Sequence, residues 1–514
     1  MLKHFASVGG LTLVSRLTGF ASGIVMAQVL GAGRLADAFF VAFRIPNHFR
    51  AIFAEGAFNA AYVPTYTRLT ILRGPKAAKA FSSQIFTLLL LSQLALLALA
   101  WLCMPQVIQL LAPGYERDPE KFALAQTMTR ITFPYLGLIV LVTLHSATLN
   151  ANRKFAAAAF APVLLNVTVI GFLAVAFKFP DAGIAASIGV LVSGFLQLVF
   201  VMVAARRAGV LESVAWPRWN ADLKRFFTTL GPAVLGSAGV QIAIFADTII
   251  ASTLGDGGQS SINYADRLYQ LPIGVIGIAA GTVLLPEMSR LMAEDDPAGA
   301  RTAQNTSIAV TLALTAPFCI AFLTVPELIM RVAFVRGAYT ASDALASANV
   351  LWAYAFGLLA VVLIRSAVAS FQSIGDLRTP MVVSLIAVAI NVALKIGLIK
   401  PLGAPGLAFA TSAGSWINLG LLTLLALRAG LMKPDAKLAK IAAATFNASL
   451  WLVLALLWVE MPLAGLCARL GSYADLAHLA ALSALSLLVY AGFMLAQFRL
   501  MDLPLPGMGG RRKP

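Results

Sequence analysis

Long apolar runs, separated by short segments rich in glycine, proline and charged residues, recur along the whole chain. A helix needs about 20 mostly apolar residues to cross the hydrocarbon core of a bilayer, so runs of that length mark candidate spans. The pattern predicts fourteen spans, at residues 5–30, 36–64, 80–111, 122–150, 157–177, 183–205, 226–253, 262–286, 305–334, 345–372, 380–399, 404–427, 438–459 and 476–498. The first run continues to Leu30 without a cleavage site, which favours a retained span over a signal peptide.

Composition agrees with this pattern. Of the 514 residues, 60% are hydrophobic and 12% are charged, a balance that excludes a soluble protein. The fold class predicted is therefore an all-α polytopic membrane protein of about fourteen transmembrane helices.

The distribution of Lys and Arg predicts the orientation of these spans. With the N-terminus in the cytoplasm, the inner segments hold 23 of the 38 basic residues and the outer loops hold seven. The positive-inside rule then places both termini in the cytoplasm. The net charge of +16 is dispersed over short loops, so it indicates an anionic membrane surface and not a nucleic acid.

An internal repeat predicts how the spans are grouped. The motif Leu-Gly-Ala-Gly at residues 30–33 is echoed by Leu-Gly-Asp-Gly at 254–257, and Ala-Asp-Ala at 36–38 by Ala-Asp-Arg at 265–267. Two parallel six-helix lobes follow, at 1–207 and 222–430, with an additional two-helix segment at 438–500.

Ionisable residues inside the apolar spans carry the functional signal, because each costs a few kcal/mol in hydrocarbon unless it meets a partner or a water-filled cavity. Asp37 and Arg44 are seven residues apart on one helix face and are candidates to neutralise each other. Pairing or snorkelling is expected for four residues near span ends, Arg130, Glu327, Arg331 and Lys395. The full set is Arg16, Asp37, Arg44, Arg50, Glu55, Arg130, Asp247, Asp266, Arg267, Glu327, Arg331, Arg365 and Lys395.

Two interpretations of the arginines remain open on the residues alone. Arg16, Arg50 and Arg267 suit a phosphate or diphosphate, because a guanidinium binds such oxygens in a bidentate manner and stays charged when dehydrated. Alternatively, they are buried partners of the acids Asp37, Glu55 and Asp266 in a network that holds the two lobes together.

Signals of enzyme chemistry are not found. The three cysteines and four histidines are scattered, and there is no glycine-rich phosphate loop or metal-ligand spacing. We therefore expect a protein that is not an enzyme and has no cofactor.

Six segments of the chain form a recognisable pattern: SRLTGF at 15–20, ADAFFVAFRIPN at 36–47, RAIFAEGAF at 50–58, FAPVLLN at 160–166, YADRL at 264–268 and DLRTP at 376–380. In these segments the sequence resembles the MurJ/MviN family of lipid II flippases, within the multidrug/oligosaccharidyl-lipid/polysaccharide exporter superfamily. The resemblance implies fourteen helices, a cationic central cavity between two lobes, and a final helix pair lining a groove for the polyprenyl tail. It also implies a monomer in the bacterial cytoplasmic membrane that flips lipid II, an undecaprenyl-diphosphate glycopeptide, outward by alternating access.

The resemblance further implies a substrate site. Arg16, Arg50 and Arg267 match the cavity arginines of the family, and Ser15, Asp37, Glu55 and Asp266 match their polar neighbours. Asp247 and Asp376 are candidates for a cation site, with sodium or proton coupling; the membrane potential is the alternative driving force. Alternatively, Asp247 is paired with Lys395 or Arg365. Membrane lipids are the other expected partners.

One departure from the family pattern keeps the substrate open. Ser22 and Gly23 stand where family members usually carry an Arg-Asp pair. A flippase for another polyprenyl-diphosphate glycan is therefore the alternative function, and a non-transporting membrane scaffold is the alternative from another class.

Overall fold

The structure, a computed structural model, describes residues 2–55 and 57–502, and it describes side chains in these ranges except at residues 2–9, 49–55, 57, 235–242, 278 and 279. The chain forms two compact units. The first comprises residues 1–260 with 336–340, and the second comprises 261–335 with 341–514. These units are defined by packing, whereas the six-helix lobes at 1–207 and 222–430 are defined by the repeat in the sequence. The division into those lobes therefore stays a prediction.

Helices make up nearly all of the described chain, which confirms the predicted all-α fold class; the count of fourteen transmembrane helices stays a prediction. Short 3-10 turns lie at 113–117, 176–178 and 468–473, and a π-helical turn lies at 273–277. The helices are α1 (Leu2–Leu30), α2 (Arg34–Glu55), α3 (Ala57–Arg73), α4 (Pro75–Leu102), α5 (Met104–Leu111), α6 (Pro119–Thr132), α7 (Pro134–Ala151), α8 (Phe155–Ala174), α9 (Ala182–Arg207), α10 (Ala221–Ala251), α11 (Gly258–Pro272), α12 (Ile278–Ala293), α13 (Pro297–Thr324), α14 (Pro326–Phe334), α15 (Ala341–Gln372), α16 (Arg378–Arg428), α17 (Ala436–Cys467) and α18 (Ala474–Leu500).

Ten stretches within the described ranges are long and apolar enough to cross a membrane. Two of them each combine two predicted spans. The 51 residues of α16 would measure about 77 Å as one straight helix, far more than a bilayer. Gly403 has a non-helical backbone with φ of 61° and divides α16 between predicted spans eleven and twelve. Gly471, with φ of 57°, interrupts the turn between α17 and α18 in the same way.

The core of the first unit contains an aromatic cluster that joins α3, α4 and α10. The ring of Tyr62 stacks on Phe58 with ring centres 5.2 Å apart and on Phe81 at 5.8 Å. Phe226 of α10 meets Tyr62 edge-on at 6.5 Å. These side chains are almost fully buried, so the start of α10 is part of this core.

The linker between α9 and α10 is anchored to the first unit by a buried carboxylate. Glu212 is 7% exposed; its oxygens accept hydrogen bonds from Ser82 (2.7 Å) and Thr148, and His145 Nδ1 lies 2.6 Å away. Burial raises the pKa of Glu212, but the hydrogen bonds from His145, Thr148 and Ser82 outweigh burial and leave the pKa below its ordinary value. The charged form of Glu212 therefore holds the linker in place.

In the second unit, the two C-terminal helices pack on α13 and α14. Leu452 and Leu456 of α17, Leu482 of α18 and Ile320 of α13 form one buried apolar cluster. Arg331 of α14 pairs with Asp475 at 2.9 Å and lies 3.9 Å from Glu327. The expectation that Arg331 is paired near a span end is confirmed.

Candidate functional site

A cavity of about 610 Å³ lies within the first unit, between α1, α3, α7, α8 and α9. Two residues predicted to bind substrate, Ser15 and Arg16, line it. We call this space the Arg16 cavity. Its walls combine polar side chains with small and apolar ones, namely Thr12, Ser15, Arg16, Asn59, Tyr135, Ile139, Val142, Thr143, Ser146, Asn150, Phe155, Ala158, Ala159, Ala161, Pro162, Leu165, Asn166 and Gln197.

Helical spacing explains why these residues share one space. Thr12, Ser15 and Arg16 follow the i, i+3, i+4 pattern that places side chains on one helix face. On the facing helix α8, Ala158 and Ala159 have small side chains that leave room for this polar face. The cavity thus results from a polar stripe on one helix opposite a small-residue stripe on another.

A side-chain amide fixes the two helices against each other. Asn166 of α8 donates from Nδ2 to the backbone carbonyl of Ser15 (3.3 Å) and to the hydroxyl of Thr18 (3.2 Å). These bonds set the rotation of α1 that directs Ser15 and Arg16 into the cavity.

The cavity offers groups that a ligand would complete. Arg16 has no carboxylate within 4.0 Å among the side chains that the structure describes. Asn150 has a buried side-chain oxygen with no hydrogen-bond partner in the same part of the chain. An anionic group of a ligand would pair with the exposed guanidinium of Arg16, and a nearby donor would satisfy the oxygen of Asn150, because an unpaired buried polar atom costs free energy.

Asp37 lies in different surroundings, at the start of α2. It is fully buried, and its Oδ2 accepts hydrogen bonds from Lys121 Nζ (2.7 Å) and from the backbone N–H of Gly257 (3.0 Å). Its Oδ1 accepts one from the backbone N–H of Ser260 (2.7 Å). The carboxylate therefore caps the N-terminus of α11, where the helix dipole favours a negative charge. The expected pairing of Asp37 with Arg44 is wrong, because Arg44 Nε donates to the hydroxyl of Thr248 at 2.8 Å instead.

Further charges surround the ion pair of Asp37 and Lys121. We call Arg34, Asp37, Lys121 and Asp256 the Asp37 cluster. Lys121 also binds Asp256 at 3.0 Å, and Arg34 lies 3.4 Å from Asp256 and 3.0 Å from Asp118. The partial burial of Asp256 raises its pKa. Lys121 and Arg34 lower the pKa by more than burial raises it, so the pKa of Asp256 lies below its ordinary value. Every acid in the cluster thus has a basic partner.

Glycines permit the close approaches at this end of the first unit. Gly257 has φ of +86°, and a Cβ there would lie 3.0 Å from the carbonyl of Ala32. Gly337, with φ of +58°, brings its loop so close to α1 that a Cβ would lie 2.3 Å from the carbonyl of Gln28. The next residue, Ala338, donates its N–H to the same carbonyl at 2.7 Å. Only glycine fits such positions without displacing backbone.

The remaining predicted site residues are distributed over both units. Asp266 and Arg267 lie half-buried in the part of α11 that belongs to the second unit, and Gln270 donates to Asp266 at 3.4 Å. The side chains of Arg50 and Glu55 lie outside the described residues. The convergence of Ser15, Arg16, Arg50, Glu55, Asp266 and Arg267 on one site stays a prediction.

The two candidates for a cation site also fall in different units. Asp247 lies in α10 of the first unit, and Asp376 lies between α15 and α16 of the second. Asp376 Oδ1 accepts hydrogen bonds from the backbone N–H of Arg378 and Thr379, both at 3.0 Å. The bonds from Thr379 lower the pKa of Asp376, so the structure gives this carboxylate a capping role at α16. A shared cation site stays a prediction.

Sequence reasoning missed several residues of these two regions. Lys121 is one of the seven basic residues that the sequence places in outer loops, but in the structure it is buried and bonded to Asp37, 84 positions away. Asn150 and Gln197 are neutral, so they do not stand out among the charged residues inside the predicted spans. The sequence signal available for Asn166 was its repeat-equivalent Asn391, each thirteen residues after an arginine.

Comparisons with known proteins place the chain in a family. The family described as "Lipid II flippase MurJ" matches residues 26–474. A protein of Rhizobium meliloti (strain 1021) named probable lipid II flippase MurJ is 41% identical over 423 residues, which are 81% of this chain and 79% of that protein. One of Rickettsia prowazekii (strain Madrid E) with the same name is 34% identical over 412 residues, covering 80% and 81% of the two chains.

Solved structures show the same fold. A structure described as lipid II flippase MurJ in an inward closed conformation has a TM-score of 0.79 at 24% identity, covering 96% of this chain and 99% of that one. An inward-facing multidrug resistance MATE family transporter has a TM-score of 0.70 at 15% identity, covering 83% and 98%. The many apolar helices and the bacterial relatives indicate a multi-pass protein of the bacterial inner membrane. Because the matched family consists of flippases, the expectation that the chain is not an enzyme is confirmed. The chain belongs to the lipid II flippase MurJ family.

Proposed function

We propose that the protein flips lipid II, the lipid-linked peptidoglycan precursor, from the inner to the outer leaflet of the cytoplasmic membrane. Family membership supports this substrate, since relatives covering about four fifths of the chain are named probable lipid II flippases. The observation in this chain that supports it best is Arg16, a guanidinium without a described acidic partner at a polar cavity inside a membrane domain.

The chemistry of the Arg16 cavity fits a glycosylated diphosphate. Arg16 binds phosphate oxygens through a fork of N–H groups, and it remains charged in a partly dehydrated space. The amides of Asn150 and Gln197 and the hydroxyl of Ser146 suit the hydroxyl and amide groups of a sugar or peptide. In this proposal Arg50 and Arg267 contribute further contacts to the diphosphate, with Glu55 and Asp266 orienting them.

Transport in this proposal proceeds by alternating access. With the N-terminus in the cytoplasm, α1 ends and α2 begins at the outer face of the membrane, and the Asp37 cluster lies there. Its ion pairs and the cap on α11 fix α2, α6 and the start of α11 against one another within the first unit.

The membrane potential is the simplest driving force for this proposal, because it requires no bound coupling ion. It favours outward movement of anions by about 2.3 kcal/mol per charge per 100 mV. A coupled sodium ion bound at Asp247 is one competing source, and flipping that persists without sodium but stops when the potential is dissipated would exclude it. A coupled proton is the other, and it would be excluded if flipping at constant potential does not change with the pH gradient.

Depletion in the host tests the substrate. Cells that lose this protein should accumulate lipid II at the inner leaflet, and expression of the native chain should reverse the accumulation. Arg16→Ala should fail to reverse it, whereas Arg117→Ala, an exposed arginine in a loop, should succeed at equal protein levels. Accumulation of a different polyprenyl-diphosphate glycan would favour the alternative flippase, and no accumulation would favour the scaffold.

A further inference from the structure

A second cavity of the first unit opens where α7 and α9 end and α8 begins. It has a volume of about 790 Å³, and it is distinct from the Arg16 cavity although Phe155 lines both. Its lining divides into basic residues, Arg153, Lys154 and Arg207, and an apolar wall that includes Phe155, Phe160, Phe200, Val203 and Leu149. We call it the Arg153 groove.

The three cations of the groove lack acidic partners. All three residues are exposed, and no carboxylate in the described part of the chain lies within 4.0 Å of them. Positive charges gathered at one groove repel each other unless an anion joins them. The groove is therefore complementary to a negatively charged group.

The backbone presents these charges at a helix start. Arg153 has φ of +58°, a conformation in which glycine is the usual residue after a helix, and Lys154 donates its N–H to the carbonyl of Leu149 at 2.9 Å. The N-terminus of α8, a 20-residue helix, receives no side-chain cap. Its first-turn N–H groups are consequently available to an anion beside the three side chains.

The apolar wall continues from the charged mouth along the helices. Phe160 of α8 and Phe200 of α9 lie with ring centres 5.4 Å apart, and Val203 is 43% exposed. In a membrane-spanning protein this wall meets hydrocarbon chains, whereas the basic mouth lies at the level of headgroups. The positive-inside rule alone explains why basic residues lie near the cytoplasmic ends of helices. It does not explain why three of them lie at the mouth of one groove lined by aromatic side chains.

We propose that the Arg153 groove binds an anionic phospholipid of the cytoplasmic leaflet. The phosphate lies among Arg153, Lys154, Arg207 and the first turn of α8, and an acyl chain follows Phe160 and Phe200. The inference rests on the proposed orientation in the membrane, but not on the identity of the flipped lipid.

The test compares phosphatidylglycerol with phosphatidylcholine on the full-length protein in detergent, with bound lipid counted by native mass spectrometry. The native protein should retain phosphatidylglycerol in preference to phosphatidylcholine. The triple variant Arg153→Gly, Lys154→Gln, Arg207→Gln should bind phosphatidylglycerol roughly 100-fold more weakly, given the contribution of each basic residue at a lipid headgroup. Glycine suits the backbone at position 153, so this variant is expected to fold.

The control variant removes the same number of positive charges at other positions on the cytoplasmic side of the protein. Arg218→Gln, Lys224→Gln, Arg225→Gln alters three exposed residues outside the groove and should leave phosphatidylglycerol binding unchanged. Equal loss in both triple variants would overturn the proposal in favour of overall charge, and equal binding of the two lipids by the native protein would also overturn it. If the groove triple does not fold, Arg207→Gln alone should still weaken binding several-fold, and native affinity in that variant would contradict the site. Lipid II flipping is measured separately, so its failure would leave this result standing.

Discussion

The Arg16 cavity and the Asp37 cluster carry the same kind of sequence signal, a charge inside an apolar helix, and the structure gives the two charges opposite surroundings. Asp37 is buried with both carboxylate oxygens bonded to Lys121 and to backbone N–H groups. Arg16 lines a cavity among neutral polar side chains. An intramembrane charge thus marks a functional candidate only after its partners are known, since a saturated charge holds structure and an unsaturated one is available to a ligand.

The largest expected effect comes from removing the acid at the centre of the Asp37 cluster. Asp37→Ala leaves Lys121, whose side chain is 4% exposed, with only the half-exposed Asp256 as a partner, and it also removes the cap of α11; loss of one partner from a buried ion pair costs about 3–5 kcal/mol. Thermal unfolding in detergent should show a strongly lowered midpoint. If Asp37→Ala keeps the native stability but loses lipid II binding, Asp37 belongs to the substrate site, as the sequence predicts. The contrast between a structural Asp37 and a ligand-binding Arg16 would then be wrong.

Rebuilding the family's Arg-Asp pair should have a smaller effect, and a harmful one. Ser22 is 2% exposed, so Ser22→Arg with Gly23→Asp forces large side chains into a packed region, at a cost of about 1–3 kcal/mol. The family pattern favours the opposite result, tighter lipid II binding by the double variant, because it restores one arginine contact to the diphosphate. A calorimetric titration with lipid II, run beside the unfolding measurement, decides between lowered stability and gained affinity.

Acid should weaken the Asp37 cluster through Asp256. Because the pKa of Asp256 is lowered in the folded protein from the ordinary 3.8, its contribution is present above that value and is lost as the pH falls through the folded pKa. The unfolding midpoint of the native protein should fall in this acid range more steeply than that of Asp256→Asn. Identical pH profiles would show that Lys121 and Arg34 do not stabilise the charged form.

The smallest effect is expected from the exposed edge of the cluster. Arg34 has a side chain that is 40% exposed, and exposed ion pairs contribute about 0.2–1 kcal/mol each. Arg34→Ala should therefore shift the unfolding midpoint only slightly, and high salt should shrink the shift. A loss as large as that of Asp37→Ala would mean that the cluster acts as one cooperative network.

Local pattern was sufficient for helices such as α8 and α9 and for singling out Arg16, but it could not predict long-range pairing. The apolar period indicated α8 and α9 to within a few residues, and an arginine in the middle of α1 is visible as a costly exception. Lys121 follows Pro119 and Glu120 in a polar stretch where a lysine is ordinary, and its burial depends on a distant partner. The wrong pairing of Asp37 with Arg44 has the same origin, because one helix face supplied a plausible partner and tertiary contacts supplied a better one.

The central claim is that Arg16 binds the diphosphate of the substrate and does not hold the fold. The most direct measurement is the initial rate of lipid II transfer across proteoliposome membranes by Arg16→Ala, normalised to folded protein, at the native potential. Loss of one charged hydrogen-bonded contact, about 1.5–3 kcal/mol, predicts a rate about 10-fold to 150-fold lower at subsaturating lipid II, with an unchanged unfolding midpoint. A native rate, or a rate that falls only as the protein unfolds, would contradict the account.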